Sequence, residues 1–134
     1  MPACSIVPNQ SRLKVFGRHA RLRTQAHLAW VKRRGRSRAG SLAVMAVVVP
    51  PPDGARRVAF VISRRYSPLA VVRNRARRLF REAYRLLVAD WSPAWVVLIP
   101  RARMRTARME DVREDLYRHG VALGVLAEIG RAHV

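Results

Sequence analysis

Between Ala70 and Leu87 the apolar side chains return every three or four residues, in the segment AVVRNRARRLFREAYRLL. With Val72 at zero and about 100° per residue, Val72, Ala76, Leu79, Phe80, Ala83, Leu86 and Leu87 fall in one arc. Asn74, Arg77, Arg78, Arg81 and Arg85 fill the opposite side. Arg73 and Arg75 lie at the two edges of the arc, where long cationic side chains can snorkel. The spacing predicts an amphipathic helix. Ser67 before Pro68 predicts its N-cap and first turn, and Trp91-Ser92-Pro93 predicts its end.

The rest of the chain divides by the same signals. Residues 1–20 are polar, contain Pro2 and Pro8 and show no sustained period, so a flexible N-terminal extension is expected there. A first helix follows, with Leu22, Ala26, Ala29 and Trp30 on one face and Gly35 as its stop. The Val-rich run Ser41–Val49 reads as a buried strand, Pro50–Gly54 as a turn and Arg57–Ser63 as a second strand. The short loop between these two runs predicts a hairpin. Ala94–Pro100 is a third strand. The basic connection RARMRTARM offers Thr106 as a cap for a last helix, Met109 to Leu126. Met109, Val112, Leu116, Leu123 and Leu126 share one face of it. The expectation is one domain over residues 21–128, an α+β two-layer sandwich with helices on one face of a small sheet, and a frayed tail at 129–134.

Charge changes this picture from a fold to a function. The 134 residues carry 27 Lys plus Arg against 8 Asp plus Glu, a formal net charge of +19. Self-repulsion at that charge is a standing cost that an anionic partner relieves. All but Lys14 and Lys32 of the basic residues are arginine, whose planar fork of donors suits phosphates and base edges. Along the predicted arginine helix, Arg73/Arg77, Arg77/Arg81 and Arg81/Arg85 stack like on like, which destabilises an isolated helix. Glu82 alone offers an acid there, within reach of Arg78 or Arg85.

Arg64 and Arg65 arrive just before the helix, so they, the first helical turn and Arg73 can form one phosphate-binding surface, with Asn74 placed to read a base edge or a 2′-hydroxyl. Residues 1–105 hold 23 basic residues and three acids; residues 106–134 hold four and five. The last helix, with Glu110, Asp111, Glu114 and Asp115, is therefore expected to face away from the anionic partner.

Other chemistries find little support. Cys4 is a single cysteine, consistent with a reducing compartment, and the four histidines have no metal-ligand spacing. No Gly-rich phosphate loop, nucleophile arrangement or paired carboxylates stand out. The longest apolar run, Leu42 to Pro52, is too short to span a bilayer, and no secretory signal is visible, so a cytoplasmic location and no membrane partner are expected.

RNRARRLFREAYR, Arg73 to Arg85, closely resembles the RNR motif of the bacterial ribonuclease P protein family. RLRTQAHLAWVKRRG resembles the family's first helix, RVAFVISRR the strand before the motif, and AWVVLIPR the strand after it. The resemblance covers roughly residues 20 to 126. It implies the order αβββαβα, with a short extra strand near Arg36 to Ala39 and a left-handed βαβ crossover around the RNR helix. It implies a non-catalytic protein subunit that binds the ribonuclease P RNA and precursor tRNA, with no obligate protein partner. The RNA removes the tRNA 5′ leader using Mg²⁺ that it mainly holds itself.

Carried over residue by residue, Arg73, Asn74, Arg75, Arg77 and Arg78 contact the RNA subunit, joined by Arg81 on the same face, and Arg64 and Arg65 match the basic pair before the motif. Three positions depart from the family pattern. Arg77 stands where Lys is usual. The stretch Ser63–Arg73 is one residue longer and lacks a glycine. Leu28, Lys32 and Ala46 fall where aromatics usually line a cleft for the precursor leader, which weakens base stacking there. The competing class is a ribosomal protein with a similar basic α+β fold. A membrane-surface protein is disfavoured, because the arginines lie opposite a core-forming face.

Overall fold

The computed structural model describes residues 21, 22 and 24–125. The expected extension at 1–20, Leu126 and the tail at 129–134 lie outside them. The elements are α1 (Gln25–Arg34), β1 (Arg36–Ala39), β2 (Ala43–Val48), β3 (Arg57–Phe60), α2 (Ala70–Leu87), β4 (Trp95–Pro100) and α3 (Met109–Ala122). Short 3-10 helices occupy Val88–Asp90 and Ala102–Thr106. The order is αβββαβα, and the short strand implied by the family resemblance is present as β1.

The sheet order is β1-β2-β4-β3. β1 pairs antiparallel with β2, and β2 antiparallel with β4 from Ala43 opposite Pro100 to Val48 opposite Trp95. β3 pairs with β4 in parallel, Arg57 beside Trp95 and Phe60 beside Leu98, so β3-α2-β4 is a parallel crossover unit. The hairpin expected between β2 and β3 is therefore absent. Trp95–Leu98 is buried on both faces, so β4 takes a central place between β2 and β3. The Pro50–Gly54 turn then spans a strand instead of joining neighbours.

Alternation along the strands separates two cores. Met45, Val47, Val58, Val96 and Leu98 face α2 and α3, packing with Phe80, Tyr84, Val112 and Leu116. Val48, Trp95 and Val97 face α1 and pack with its Val31. The α+β class stands, but the helices divide between the two sheet faces where the sequence reading places them on one. The expected face of α1 also shifts. Ala26 and Ala29 are exposed, while Val31 is buried and Leu28 and Trp30 are half-buried. Leu22 precedes the helix and reaches the same core because its N–H donates to the Val58 carbonyl at 3.1 Å, beside the edge of β3. Gly35 does end α1. A Cβ there would lie 2.5 Å from Val31 O and 2.7 Å from Val47 O.

Helix starts differ in detail. α2 begins at Ala70 with Leu69 as N-cap and no side-chain cap. Ser67 is not that cap, because the helix begins two residues later than the Ser-Pro signal suggests. The Ser67 Oγ instead accepts the Leu69 N–H at 3.1 Å. Thr106 likewise ends a 3-10 turn and does not cap α3. There the Arg108 N–H donates to Asp111 Oδ2 at 3.1 Å.

α3 buries Val112 and Leu116 as expected, and also Asp115 and His119; Met109 is half-buried, and Leu123 is buried just past the helix end. His119 Nε2 lies 2.9 Å from the Ala43 carbonyl oxygen, and Nδ1 lies 3.1 Å from an Arg38 nitrogen. A guanidinium only donates, so Nδ1 accepts and the proton sits on Nε2. This contact fastens the edge strand β1 to α3, and Asp115 lies 3.3 Å from the same Nε2. A Cβ on Gly40 would come within 2.7 Å of both Asp115 Oδ1 and His119 Nε2, so only glycine leaves the cluster intact.

Asp53 closes the β2–β3 turn. Its carboxylate accepts from Trp95 Nε1 at 2.9 Å, the Ala55 N–H at 3.0 Å and Arg57 Nε at 2.6 Å. Burial pushes its pKa up, but these donors outweigh it and hold the carboxyl at about 2, below the ordinary 3.8. The folded-state value lies below the unfolded one, so the contribution is full above about pH 4 and is lost as pH falls towards 2. Asp53→Asn should therefore lower stability at neutral pH and flatten its loss on acidification. Thermal melts from pH 7 to pH 2 check this; parallel curves for the two proteins would contradict it.

Candidate nucleic-acid interface

α2 presents the predicted cationic side. Asn74, Arg78 and Arg81 are exposed, and Arg73, Arg77 and Arg85 are half-buried. Arg85 pairs with Glu82, which settles that acid's choice of partner. Arg77 donates to Asn74 Oδ1 at 3.0 Å, so the amide NH₂ of Asn74 is the part left to donate outward. The loop from β3 brings Arg64 and Arg65, both exposed, to the start of α2. Arg73 donates to the Ser67 carbonyl at 2.9 Å, which ties that loop to the helix.

The buried face of α2 is rotated from the predicted arc. Ala76, Phe80, Ala83 and Tyr84 are buried, Leu79 and Leu87 are half-buried, and Leu86 is 44% exposed. Tyr84 turns in because it meets Trp91 edge-on at 5.5 Å, and burial pushes its phenol pKa up. Arg75, at the other edge of the arc, reaches over the chain that follows β4. Its guanidinium donates to the carbonyls of Arg105 at 3.0 Å, Ala107 at 2.6 Å and, at 3.4 Å, Met104.

This contact brings a second group of arginines beside the first. Arg101, Arg103, Arg105 and Arg108 are exposed on the segment that Arg75 holds. Arg105 donates to the Tyr66 carbonyl and lies over the Tyr66 ring at 5.5 Å. The sequence marks this segment as basic, but its place against α2 is a long-range fact that no local pattern carries.

On the other sheet face, Leu28 of α1 and Ala46 of β2 meet in one apolar cluster, with Lys32 exposed on the last turn of α1. α1 covers only part of this face. Beyond it Val44 and Ala59 are half-buried, and Ile99 and Val61 are exposed, forming an apolar strip. Trp30 is half-buried against the cluster with the Arg34 guanidinium 5.5 Å above its ring. Of the acids on α3, Glu110, Asp111 and Glu114 are exposed and Asp115 is turned inward.

Among the described residues, no three His, Cys, Asp or Glu side chains come together as a metal site would need. The described residues therefore offer no such cluster to the Mg²⁺ that the resemblance implies. No described helix is long and apolar enough to cross a membrane.

A cationic helix following a parallel strand, with a basic loop at its start, is the arrangement that the RNR resemblance implies. The ribonuclease P family model matches residues 16–121. The chain belongs to the ribonuclease P protein family. The ribonuclease P protein component of Roseiflexus castenholzii is 37% identical over 115 residues, covering 81% of this chain and 92% of that protein. That of Herpetosiphon aurantiacus is 36% identical over 103 residues, covering 75% and 81%. The fold agrees with solved ribonuclease P proteins. For that of Staphylococcus aureus the TM-score is 0.70 at 17% identity, covering 80% of this chain and 97% of the other. For that of Thermotoga maritima it is 0.64 at 23% identity, covering 73% and 92%.

Proposed function

We propose that this family member docks on the ribonuclease P RNA through α2 and the loop before it, and assists that RNA in removing the 5′ leader of precursor tRNA. The observation that carries this is the outer side of α2. Arg77, Arg78 and Arg81 share it with a single acid, Glu82, which is already paired with Arg85. Arg64, Arg65 and Arg73 extend it past the start of the helix, and the Asn74 NH₂ adds a neutral donor suited to a base edge or 2′-hydroxyl. The protein supplies positioning and charge. Bond cleavage and Mg²⁺ belong to the RNA.

The strip beside Leu28, Lys32 and Ala46 is assigned to the precursor leader. It offers apolar contact and one ammonium where aromatic stacking would bind more tightly. A binding titration separates this reading from that of a general rRNA-binding protein. The full chain should form a one-to-one complex with ribonuclease P RNA that an excess of ribosomal RNA fragments does not displace. Equal competition by the two RNAs would defeat it.

A further inference from the structure

We infer that Arg75, the second arginine of the RNR motif, is a positioning residue and not an RNA contact. The inference rests on the RNA-binding reading above and changes the role of one residue within it.

Ala102–Thr106 is a 3-10 helix; its Met104 carbonyl accepts the Ala107 N–H at 3.2 Å, and the carbonyls that follow have no partner within the helix. Met104 and Ala107 are buried in the main core, so this backbone is partly withdrawn from water and its carbonyls need donors. Arg75 supplies them. One guanidinium spans the carbonyls of Arg105 and Ala107 at 3.0 and 2.6 Å, with Met104 O at 3.4 Å. A planar fork with fixed spacing can bridge such a set, and a lysine ammonium cannot reproduce it.

The contacts then close into a ring. Arg75 holds the 3-10 segment, Arg105 of that segment holds Tyr66 O, and Arg73 of α2 holds Ser67 O of the same loop. Three segments bearing arginines are locked together: the loop with Arg64 and Arg65, the helix with Arg77, Arg78 and Arg81, and the segment with Arg101, Arg103 and Arg105. With its fork turned into the protein, Arg75 fixes how these cations are spaced for an RNA backbone.

A double-mutant cycle tests this. The full chain and its Arg75→Lys, Arg75→Gln, Arg105→Gln and Arg75→Gln/Arg105→Gln variants are titrated with a bacterial ribonuclease P RNA at 10 °C, where the folded state of each is first verified by circular dichroism. The free proteins are also digested with limiting trypsin. Arg75→Lys should bind about tenfold more weakly, close to Arg75→Gln, since preserving charge does not preserve the bridge. Adding Arg105→Gln to Arg75→Gln should cost much less than Arg105→Gln alone, because the ring is already open. Trypsin should cut after Arg103 and Arg105 faster in the Arg75 variants.

Wild-type affinity in Arg75→Lys, or strictly additive losses, would overturn the inference and make Arg75 a phosphate contact. Faster cutting with unchanged RNA affinity would also overturn it, leaving a purely structural residue. Failure of the unaltered chain to bind the RNA would instead defeat the RNA-binding reading on which the inference stands.

Discussion

A chain carrying Arg77→Ala, Arg78→Ala and Arg81→Ala together will bind ribonuclease P RNA roughly 10²–10³-fold more weakly at 0.15 M salt, if each arginine makes one phosphate contact with a net worth of about 1 kcal/mol. The salt dependence will change with it. Each lost contact removes about 0.9 from the slope of log affinity against log salt, so the triple variant should be flatter by about 2–3. The fold should persist, because Arg78 and Arg81 are exposed and Arg77 is only half-buried. Binding isotherms between 0.05 and about 0.3 M salt give both quantities, over the range where the counterion-release relation applies. An unchanged slope would show that this side of α2 does not face the RNA.

Phe80→Ala will produce the largest loss of stability among changes on the same helix. Phe80 is fully buried, and its ring stacks on Phe60 with centroids 5.9 Å apart. Deleting it leaves a cavity between α2 and the sheet, at a cost of about 3–5 kcal/mol. That is a large share of the roughly 5–15 kcal/mol that stabilises an ordinary domain. Leu79→Ala should cost less than the 2–5 kcal/mol of a fully buried leucine, because Leu79 is half-buried. Leu86→Ala, at an exposed position, should cost least. Urea denaturation of the three variants ranks them. A Phe80→Ala loss no greater than that of Leu86→Ala would mean that α2 packs through a different face.

That ranking also shows how far local pattern reaches. The presence of α2 and of the strands β2 and β4 follows from apolar runs and spacing, because those signals are local. The wheel places Leu86 inside and omits Tyr84, because it weighs apolar character alone. What turns Tyr84 inward is Trp91, a partner beyond the end of the helix. The β2–β3 hairpin fails for a similar reason. Loop length speaks only of sequence neighbours, whereas burial of β4 on both faces decides which strand lies in the middle.

The candidate site is legible to the same degree. The arginine side of α2 is visible in the sequence as like charges at helical spacing. The roles within it are not. Arg75 and Arg78 look equally cationic in the chain, yet one has three backbone carbonyls before it and the other is exposed. The acids of α3 divide in the same way. Glu110 and Glu114 are exposed, whereas Asp111 serves the helix start and Asp115 is buried beside His119.

Cleavage at low Mg²⁺ shows whether this protein assists an RNA catalyst. Bacterial ribonuclease P RNA and a precursor tRNA are mixed at a Mg²⁺ concentration where the RNA alone is slow, with and without the protein. Stoichiometric protein should restore removal of the 5′ leader at the correct site, and the triple arginine variant should not. Cleavage unchanged by the unaltered protein would contradict such assistance.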